Sequence, residues 1–251
     1  MTAINAKKDK KIIYYKELNE TIRNCEDKEI TLEDVCGQRY IGDGINGKKI
    51  VINGTPGNGL CAYMNGAEVI VNGNAQDATG DTMNEGTLTV YGSSGDATGY
   101  GMRGGKVFIR DNAGYRAGIH MKEYKEKFPV LIIGGETGSF LGEYQAGGVI
   151  IVLGLANNNR TIPVGEPPVG NFCGTGMHGG RIYLRCDKEP KNLPKQVAIR
   201  TADEADKDQI KDYIAEYSQK FDLNADEILS SNFYVLSANS KNPYKQLYTH
   251  N

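Results

Sequence analysis

Short apolar runs recur along the middle of the chain at a constant step of 19 residues. The runs are rich in β-branched residues, which favour β-strands, and their last apolar residues are Ile52, Val71, Val90 and Ile109. Methionine keeps the same step, at Met64, Met83, Met102 and Met121. Because two residue types recur at the same step, the chain contains an internal repeat. Such a repeat constrains the whole fold more strongly than any single predicted strand or helix.

Two insertions interrupt the phase of this repeat. The first, KEYKEKFP, follows the last of these methionines, and the second lies within NNNRTIPVGEPPVGNF. The strand-ending pattern resumes after the first insertion at Ile133 and Val152, and after the second at Leu184. Seven strand-ending positions result, and Ile30 and Leu32 indicate a degraded eighth unit.

A unit of 19 residues is too short to bury its own apolar face, so it must stack on its neighbours. One unit fits one turn of a parallel β-helix, in which equivalent side chains lie about 4.8 Å apart. We therefore predict a mainly β fold, a single-stranded right-handed parallel β-helix of about seven coils with aliphatic and methionine ladders inside. The left-handed β-helix is built from hexapeptide units, and the aliphatic position does not recur here at a six-residue step.

The segments that flank the repeat carry helical patterns. Residues 14–25 place Tyr15, Leu18 and Ile22 on one face, which predicts an amphipathic helix that caps the first coil. Thr201 and Glu204 have the spacing of a capping box before a helix whose apolar stripe is Ile210, Ile214, Tyr217 and Phe221. The segment LNADEILSS predicts a second short helix, and the final FYVLSANSKNPYKQLY either packs on the chain itself, which we favour, or docks on a partner.

These patterns divide the chain into three regions. They predict an N-terminal cap of a helix and a strand over residues 1–37, the β-helix over 38–185 and a C-terminal helical extension over 186–251.

Two glycine motifs have the spacing of a dinucleotide-binding loop. They are Gly99-x-Gly101-x-x-Gly104 and Gly174-x-Gly176-x-x-Gly179. Such a loop needs a strand before the glycines and a helix after them, so that helix N–H groups reach the phosphates. Here a strand-like segment follows each motif, and a turn-like segment precedes the first. We interpret both as corners of the repeat, where glycine permits positive φ or close backbone approach.

Composition narrows the classes of partner and compartment. The 251 residues include 32 glycines, 15 tyrosines and no tryptophan, and the net charge is −2. No basic surface for nucleic acid or membrane is therefore predicted. The five cysteines are odd in number and show no C-x-x-C spacing, which indicates a reducing compartment. Since no apolar run is long enough to span a bilayer and no apolar signal region follows the N-terminus, we predict a soluble cytoplasmic protein.

No catalytic, cofactor-binding or metal-ligating residue is predicted. His120, His178 and His250 are the candidates for proton transfer, but the first two have no carboxylate or cysteine at a local ligand spacing. Glu136 and Glu143 lie near corners, and we predict that they are solvated turn residues.

Six motifs that occur in order over residues 38–185 resemble a known family. They are GQRYIG, GTPGNGL, NGNAQDATGDTMNEG, GDATGYGMRGGKVFIRDNAGYRAGIHMKEY, GGETGSFLGEYQAGGVIIVLG and GTGMHGGRIYL. Together they resemble the GXGXG domain of glutamate synthase, above all the stand-alone form found where the large (alpha) subunit is split into separate chains. The chain is more distantly similar to the β-helical subunit of formylmethanofuran dehydrogenase.

The first resemblance implies a right-handed β-helix that is a structural element beside catalytic domains. The family's amidotransferase domain uses an N-terminal cysteine, whereas this chain begins Met-Thr-Ala, and its synthase domain binds an iron–sulfur cluster through closely spaced cysteines, which this chain lacks. The resemblance thus implies a non-catalytic scaffold subunit of a multi-chain glutamate synthase, which converts glutamine and 2-oxoglutarate to glutamate. Its partners would be the amidotransferase and FMN-binding synthase subunits, and FMN, the iron–sulfur cluster and NAD(P)H are expected only on partner subunits.

Two further hypotheses remain open. The more distant resemblance implies a scaffold subunit of formylmethanofuran dehydrogenase, and a homo-oligomer is compatible with either complex. An independent β-helix enzyme would need acidic residues stacked on one face of successive coils. Asp77 and Asp96 occupy equivalent positions, but Tyr115 follows them in phase and breaks that ladder.

The purified chain is expected to show no saturable binding of NADPH, NADH or FMN in equilibrium titrations, because no helix N-terminus follows the glycines. Saturable binding at micromolar concentration that Gly101→Val abolishes would overturn the interpretation of these motifs as corners.

Overall fold

The computed structural model describes residues 1–159 and 161–239. These ranges contain thirteen strands and three helices. The elements are β1 (Thr2–Asn5), β2 (Lys7–Lys8), β3 (Lys11–Ile12), α1 (Tyr15–Asn24), β4 (Glu29–Cys36), β5 (Lys49–Thr55), β6 (Asn65–Asn72), β7 (Glu85–Val90), β8 (Gly105–Ile109), β9 (Pro129–Ile133), β10 (Ala146–Val152), β11 (Gly179–Arg185), β12 (Val197–Thr201), α2 (Glu204–Phe221), α3 (Ala225–Ser230) and β13 (Phe233–Ala238).

Eleven of the described strands form one sheet, in the order β1-β4-β5-β6-β7-β8-β9-β10-β11-β13-β12. From β1 to β11 every strand is parallel to the next, and β13 and β12 complete the sheet in antiparallel pairing. The predicted mainly β fold is confirmed. The single-stranded right-handed β-helix of about seven coils stays a prediction.

The strand register confirms the aliphatic ladder. Ile52 pairs with Val71, Val71 with Val90 and Val90 with Ile109. The full ladder runs through Ile4, Leu32, Ile52, Val71, Val90, Ile109, Ile133, Val152 and Leu184. From Leu32 to Leu184 these side chains have no exposed surface. The eighth unit predicted around Leu32 is confirmed as β4, and β1 adds a further strand that the pattern did not indicate.

The methionine ladder is buried as well. The four methionines have no exposed surface, and their side chains belong to the same apolar core as the aliphatic ladder. Gln145 takes the equivalent position in the next repeat and is also fully buried. Its amide nitrogen donates hydrogen bonds to the carbonyls of Gly147 and Gly148, both at 3.2 Å. The backbone thus satisfies the amide nitrogen of this buried side chain, whereas its Oε1 has no hydrogen-bond partner among the described residues.

The N-terminal helix is α1, in agreement with the prediction. Its residues Leu18 and Ile22 are buried in the core, and Asn19 donates a hydrogen bond of 2.9 Å to the carbonyl of Arg39. The helix therefore covers apolar side chains at the start of the repeat.

The capping box predicted from Thr201 and Glu204 is wrong. Thr201 belongs to β12, which pairs with β13, and because α2 begins at Glu204 it lies two residues before the N-cap position. Asp203 is the N-cap of α2, and it exchanges reciprocal hydrogen bonds with Asp206. Arg200 also bonds Asp206, and this contact lowers the pKa of the Asp206 carboxyl to about 2.

The predicted apolar stripe of α2 is confirmed. Ile210, Ile214 and Tyr217 are fully buried and pack with outward-facing residues of β8–β11 such as Phe108 and Ile151. None of the helices in the described ranges is both long and apolar enough to cross a bilayer.

The segments after α2 also follow the prediction. The short helix is α3, which Asn224 caps by accepting the N–H groups of Asp226 and Glu227. The final segment packs on the chain itself as far as β13, whose residues pair with β11 and β12. Residues 240–251, which include the rest of that segment, lie outside the described residues.

Substitution Val90→Asp is expected to destabilise the fold by more than about 4 kcal/mol, because it places an unpaired charge in a fully buried ladder. Thr87→Asp, on the same strand but half-buried, is the matched control and should cost less than half as much. Urea unfolding measures both variants. A Val90→Asp protein as stable as the control would contradict the buried ladder.

Candidate functional site

Each repeat turns a corner after its strand through three left-handed residues at positions i, i+2 and i+4. In the repeat that begins with β7 they are Ala97, Gly99 and Gly101, with φ of 55°, 72° and 58°. Seven described corners share the pattern: Tyr40-Gly42-Gly44, Gly59-Cys61-Tyr63, Ala78-Gly80-Thr82, Ala97-Gly99-Gly101, Arg116-Gly118-His120, Phe140-Gly142-Tyr144 and Phe172-Gly174-Gly176.

These left-handed residues join the repeats through their N–H groups. The N–H of Gly99 donates to the carbonyl of Thr79 in the preceding repeat at 2.7 Å. The N–H of Gly101 donates to the carbonyl of Ile119 in the following repeat at 2.8 Å, and Ala97 also donates forward. The corner therefore continues the bonding between repeats that the strands begin.

The last glycine of each motif is required for a different reason, which is steric. A Cβ on Gly104 would lie 2.3 Å from the carbonyl oxygen of Asn84, and one on Gly179 would lie 2.2 Å from that of Ala146. Each glycine thus permits close approach to the preceding repeat. The interpretation of both motifs as corners is confirmed, and the absence of nucleotide binding stays a prediction.

Bulky side chains occupy left-handed positions at which other repeats carry glycine. They are Tyr40, Phe140 and Phe172 at the first position and Tyr63, His120 and Tyr144 at the third. The left-handed conformation costs a residue with a Cβ about 1–2 kcal/mol. Tyr40, Tyr63 and Phe172 are 43%, 54% and 53% exposed, so burial does not offset this strain.

The exposed rings form a candidate functional surface, because burial does not explain them and other repeats trace the same backbone path with glycine. These six aromatic residues, together with the exposed Tyr100 of the Ala97-Gly99-Gly101 corner and the exposed Tyr115 next to Arg116, are called the aromatic corner below.

The rings of the aromatic corner contact one another from repeat to repeat. His120 stacks on Tyr144 with ring centroids 5.1 Å apart, and Phe140 stacks on Phe172 at 5.0 Å. The guanidinium of Arg116 lies 5.0 Å from the Phe140 centroid. Each stack joins a half-buried ring, Tyr144 or Phe140, to an exposed one, His120 or Phe172, and so restricts the orientation of the exposed ring.

The acidic side chains beside the corner accept hydrogen bonds from backbone N–H groups. The Asp77 carboxylate accepts the Asp96 N–H at 3.0 Å, and the Asp96 carboxylate accepts the Tyr115 N–H at 2.8 Å. The acidic ladder ends at Tyr115, as the sequence predicts. Both carboxylates link successive repeats, which is a structural use of the pair.

Glu136 is not the solvated turn residue that we predicted. It is 8% exposed, and its carboxylate accepts hydrogen bonds from the Thr161 N–H at 2.8 Å, the Thr161 hydroxyl at 2.6 Å and the Ile162 N–H at 2.7 Å. Glu136 therefore ties the second insertion to the repeat that begins with β9. The other candidate, Glu143, is half-buried and accepts from Arg116 at 3.3 Å.

The other two candidate histidines are His178 and His250. The exposed His178 has its Nδ1 3.3 Å from the carbonyl of Gly176, and His250 lies outside the described residues. Within the described ranges no group of three or more histidine, cysteine or acidic side chains is placed to hold a metal ion.

Three of the cysteines are buried. Burial raises the pKa of the Cys173 and Cys186 thiols to about 12, and it raises the pKa of the Cys61 thiol as well. These thiols are protonated at neutral pH and are therefore poor nucleophiles.

A cleft of about 480 Å³ opens where the aromatic corner meets the first insertion. It is lined by Thr82, Tyr100, Gly101, Arg103, His120, Lys122, Glu123 and Tyr124. Two cations and three rings thus surround one concave surface. The first insertion, which supplies Lys122, Glu123 and Tyr124, and His120 are singled out by the sequence, but their meeting with Tyr100 and Arg103 is not, because the corner and the insertion meet only in the folded chain.

Two comparisons with known sequences match nearly the whole chain. The model of a family described as the GXGXG motif matches residues 3–240. An uncharacterized protein of Methanocaldococcus jannaschii is 45% identical over 251 residues, which cover 96% of this chain and 95% of the relative.

A solved structure shares the fold. It is a chain of the crystal structure of the formyltransferase/hydrolase complex from Methylorubrum extorquens in complex with methylofuran. The likeness has a TM-score of 0.55 at 16% sequence identity and covers 83% of this chain and 72% of the other.

Substitution Glu136→Ala is expected to release the second insertion and to cost about 2–3 kcal/mol, because the charge-assisted hydrogen bonds that Glu136 accepts from Thr161 and Ile162 are lost. Limited proteolysis should then cut faster near residue 161, and urea unfolding gives the loss of stability. The exposed Glu126→Ala is the control and should change neither measurement. Equal cleavage rates in both variants would show that Glu136 does not hold the insertion.

Proposed function

Because the chain belongs to the GXGXG motif family, we propose that it is a non-catalytic scaffold subunit of a multi-chain enzyme complex. The observation that carries this proposal is the aromatic corner. Exposed rings are kept on strained left-handed backbone and are ordered by stacking. Rigid aromatic surface of this kind is suited to contact with another protein.

We infer that the repeat winds as a single-stranded right-handed parallel β-helix of about seven coils. Three observations support this winding: the parallel strands in constant register, the corner bonds to both neighbouring repeats and a second row of parallel bridges joining Ser94, Ala113, Thr137 and Val169. Such a prism would be a stiff spacer, because each coil is bonded to both its neighbours. Stiffness suits a subunit that holds two active sites at a fixed separation.

Glutamate synthase is the complex that the sequence motifs favour. In that assignment the amidotransferase and FMN-binding synthase subunits are the partners, and FMN, the iron–sulfur cluster and NAD(P)H are bound by them. The scaffold would keep the two sites close enough for ammonia released at one to be consumed at the other.

A second candidate is favoured by the structural likeness. The shared fold occurs in a formyltransferase/hydrolase complex, and the sequence is distantly similar to the β-helical subunit of formylmethanofuran dehydrogenase. The same scaffold role would then serve one-carbon chemistry carried out by other subunits. At 16% identity the likeness supports the fold and the setting in a complex, and it leaves the reaction open.

The two insertions are the proposed docking elements. They leave the repeat at defined places, after Met121 and after Gly154, while the ladder keeps its register across both. A segment can be inserted without cost to the core only if it stays outside, and an outside segment is available to a partner.

The tagged chain, purified from its native host, is expected to bring amidotransferase and FMN-binding synthase subunits with it, as identified by mass spectrometry. The chain alone should have neither glutaminase nor glutamate-forming activity. Shortening residues 155–169 should weaken the recovery of these subunits, since it removes one docking element.

The outcomes of this purification separate the candidates. Recovery of formyltransferase, hydrolase or molybdopterin-binding subunits would replace glutamate synthase by the second candidate. Recovery of no other protein would count against a scaffold role in either complex.

A further inference from the structure

The cleft between the aromatic corner and the first insertion carries uncompensated positive charge. Among the described residues Arg103 and Lys122 form no ion pair and no side-chain hydrogen bond. Of the neighbouring cations, Arg116 pairs with Glu143 and Lys127 with Glu85 at 3.0 Å. The ammonium of Lys125 lies 5.4 Å from the Tyr124 centroid and forms no ion pair with a described residue. A chain of net charge −2 thus leaves two cations facing one concave surface.

The acidic side chain in the lining, Glu123, offsets only part of this charge, because it is one carboxylate beside two cations and forms an ion pair with neither. The carboxylate of Glu123 accepts the N–H of Gly148 at 2.9 Å, so it is used to hold the insertion against β10. No other carboxylate of the described residues lines the cleft. An anion from outside the chain would therefore find an electrostatic partner here.

The rings in the cleft are exposed and held in place. Tyr100 and Tyr124 are 40% and 49% exposed, and the guanidinium of Arg103 lies 5.9 Å from the Tyr124 centroid. Tyr124 is fixed by backbone hydrogen bonds with Lys127, at 3.2 Å and 3.0 Å. A guanidinium stacked on a ring keeps its planar edge free to bind a carboxylate through two hydrogen bonds.

The shape and composition of the cleft fit a protein partner. Tyrosine and arginine are the residues that most often dominate protein interfaces, and ordered side chains lose little freedom on binding. Like Arg103, the side chains of His120, Lys122 and Tyr124 stand in solvent, so the surface is shallow. Nucleic acid would need a longer basic track than two cations supply.

We propose that this cleft binds an acidic segment of a partner protein, with Asp or Glu carboxylates on Arg103 and Lys122 and a side chain between the rings of Tyr100 and Tyr124. This inference rests on the proposed scaffold function and names the chemistry of one of its contacts. The proposal therefore predicts that the partner subunit carries an exposed loop or terminus rich in Asp or Glu.

The test uses the full-length tagged chain purified from its native host and treated with a carbodiimide, which joins a lysine amine directly to a contacting carboxylate. The expected product is a cross-link between Lys122 and an Asp or Glu of a subunit that co-purifies with the wild type. The double variant Arg103→Glu/Lys122→Glu should recover about tenfold less of that subunit, because each salt link becomes a repulsion. Its melting temperature should equal that of the wild type, since both residues are exposed.

The matched control is Lys8→Glu/Lys11→Glu. These exposed lysines pair with each other in the β2–β3 hairpin, and their reversal changes the net charge equally at another place. This variant should recover the subunit as the wild type does. Tyr124→Ala, which removes a ring and no charge, should also reduce recovery.

The outcomes distinguish this inference from the scaffold proposal. If the wild type recovers partner subunits and the charge-reversed variant recovers them equally, the cleft is not the contact and the scaffold role stands. If recovery is abolished by nuclease treatment, the cleft binds nucleic acid and the inference is wrong. If the wild type recovers no partner, the scaffold proposal fails and this inference fails with it.

Discussion

Register between successive repeats is the constraint on which the structure depends. Every strand from β4 to β11 must pair with the one before it in the same register. Each of the five inner corners, from Gly59 to Tyr144, must also donate N–H groups to both neighbouring repeats. An apolar residue at the ladder position meets the first demand, and left-handed backbone at alternate corner positions meets the second. The chain can be lengthened only where it leaves and returns in register, as it does between Ile109 and its partner Ile133.

This constraint separates the residues that hold the fold from those that are free for function. Inward positions are filled by the ladders, and the backbone polar groups of the corners are used between repeats. One outward face, over β8–β11, is covered by α2. Chemistry that faces solvent is therefore concentrated in the side chains of the corners and in the two insertions, which is where the exposed rings and unpaired cations lie.

The parts of the fold that could be predicted from the sequence are those that recur in several repeats. A ladder position such as Val90 is recognisable because its equivalents stand one step before and after it. Contacts made once have no such signal: the pairing of β13 with β11, or the capture of Thr161 by Glu136 across the insertion. The capping box failed for a related reason, since Thr201 has the right spacing but is drawn into β12 by its partner strand. The cleft was missed because its cations and rings come from two corners and an insertion.

The bulky left-handed residues connect stability with function. Glycine at Gly101 and Gly176 shows that the third corner position is satisfied without a side chain, so the rings of Tyr63, His120 and Tyr144 are not needed to turn the corner. The bonds between repeats tolerate their strain because several neighbouring corners enforce one backbone path. In return, a ring on such a backbone has few alternative directions, and stacking removes more of them. A surface already ordered in the free chain loses less entropy when a partner binds. The same inter-repeat bonding that specifies the fold can thus prepare an interface, and this is the property that a scaffold subunit requires.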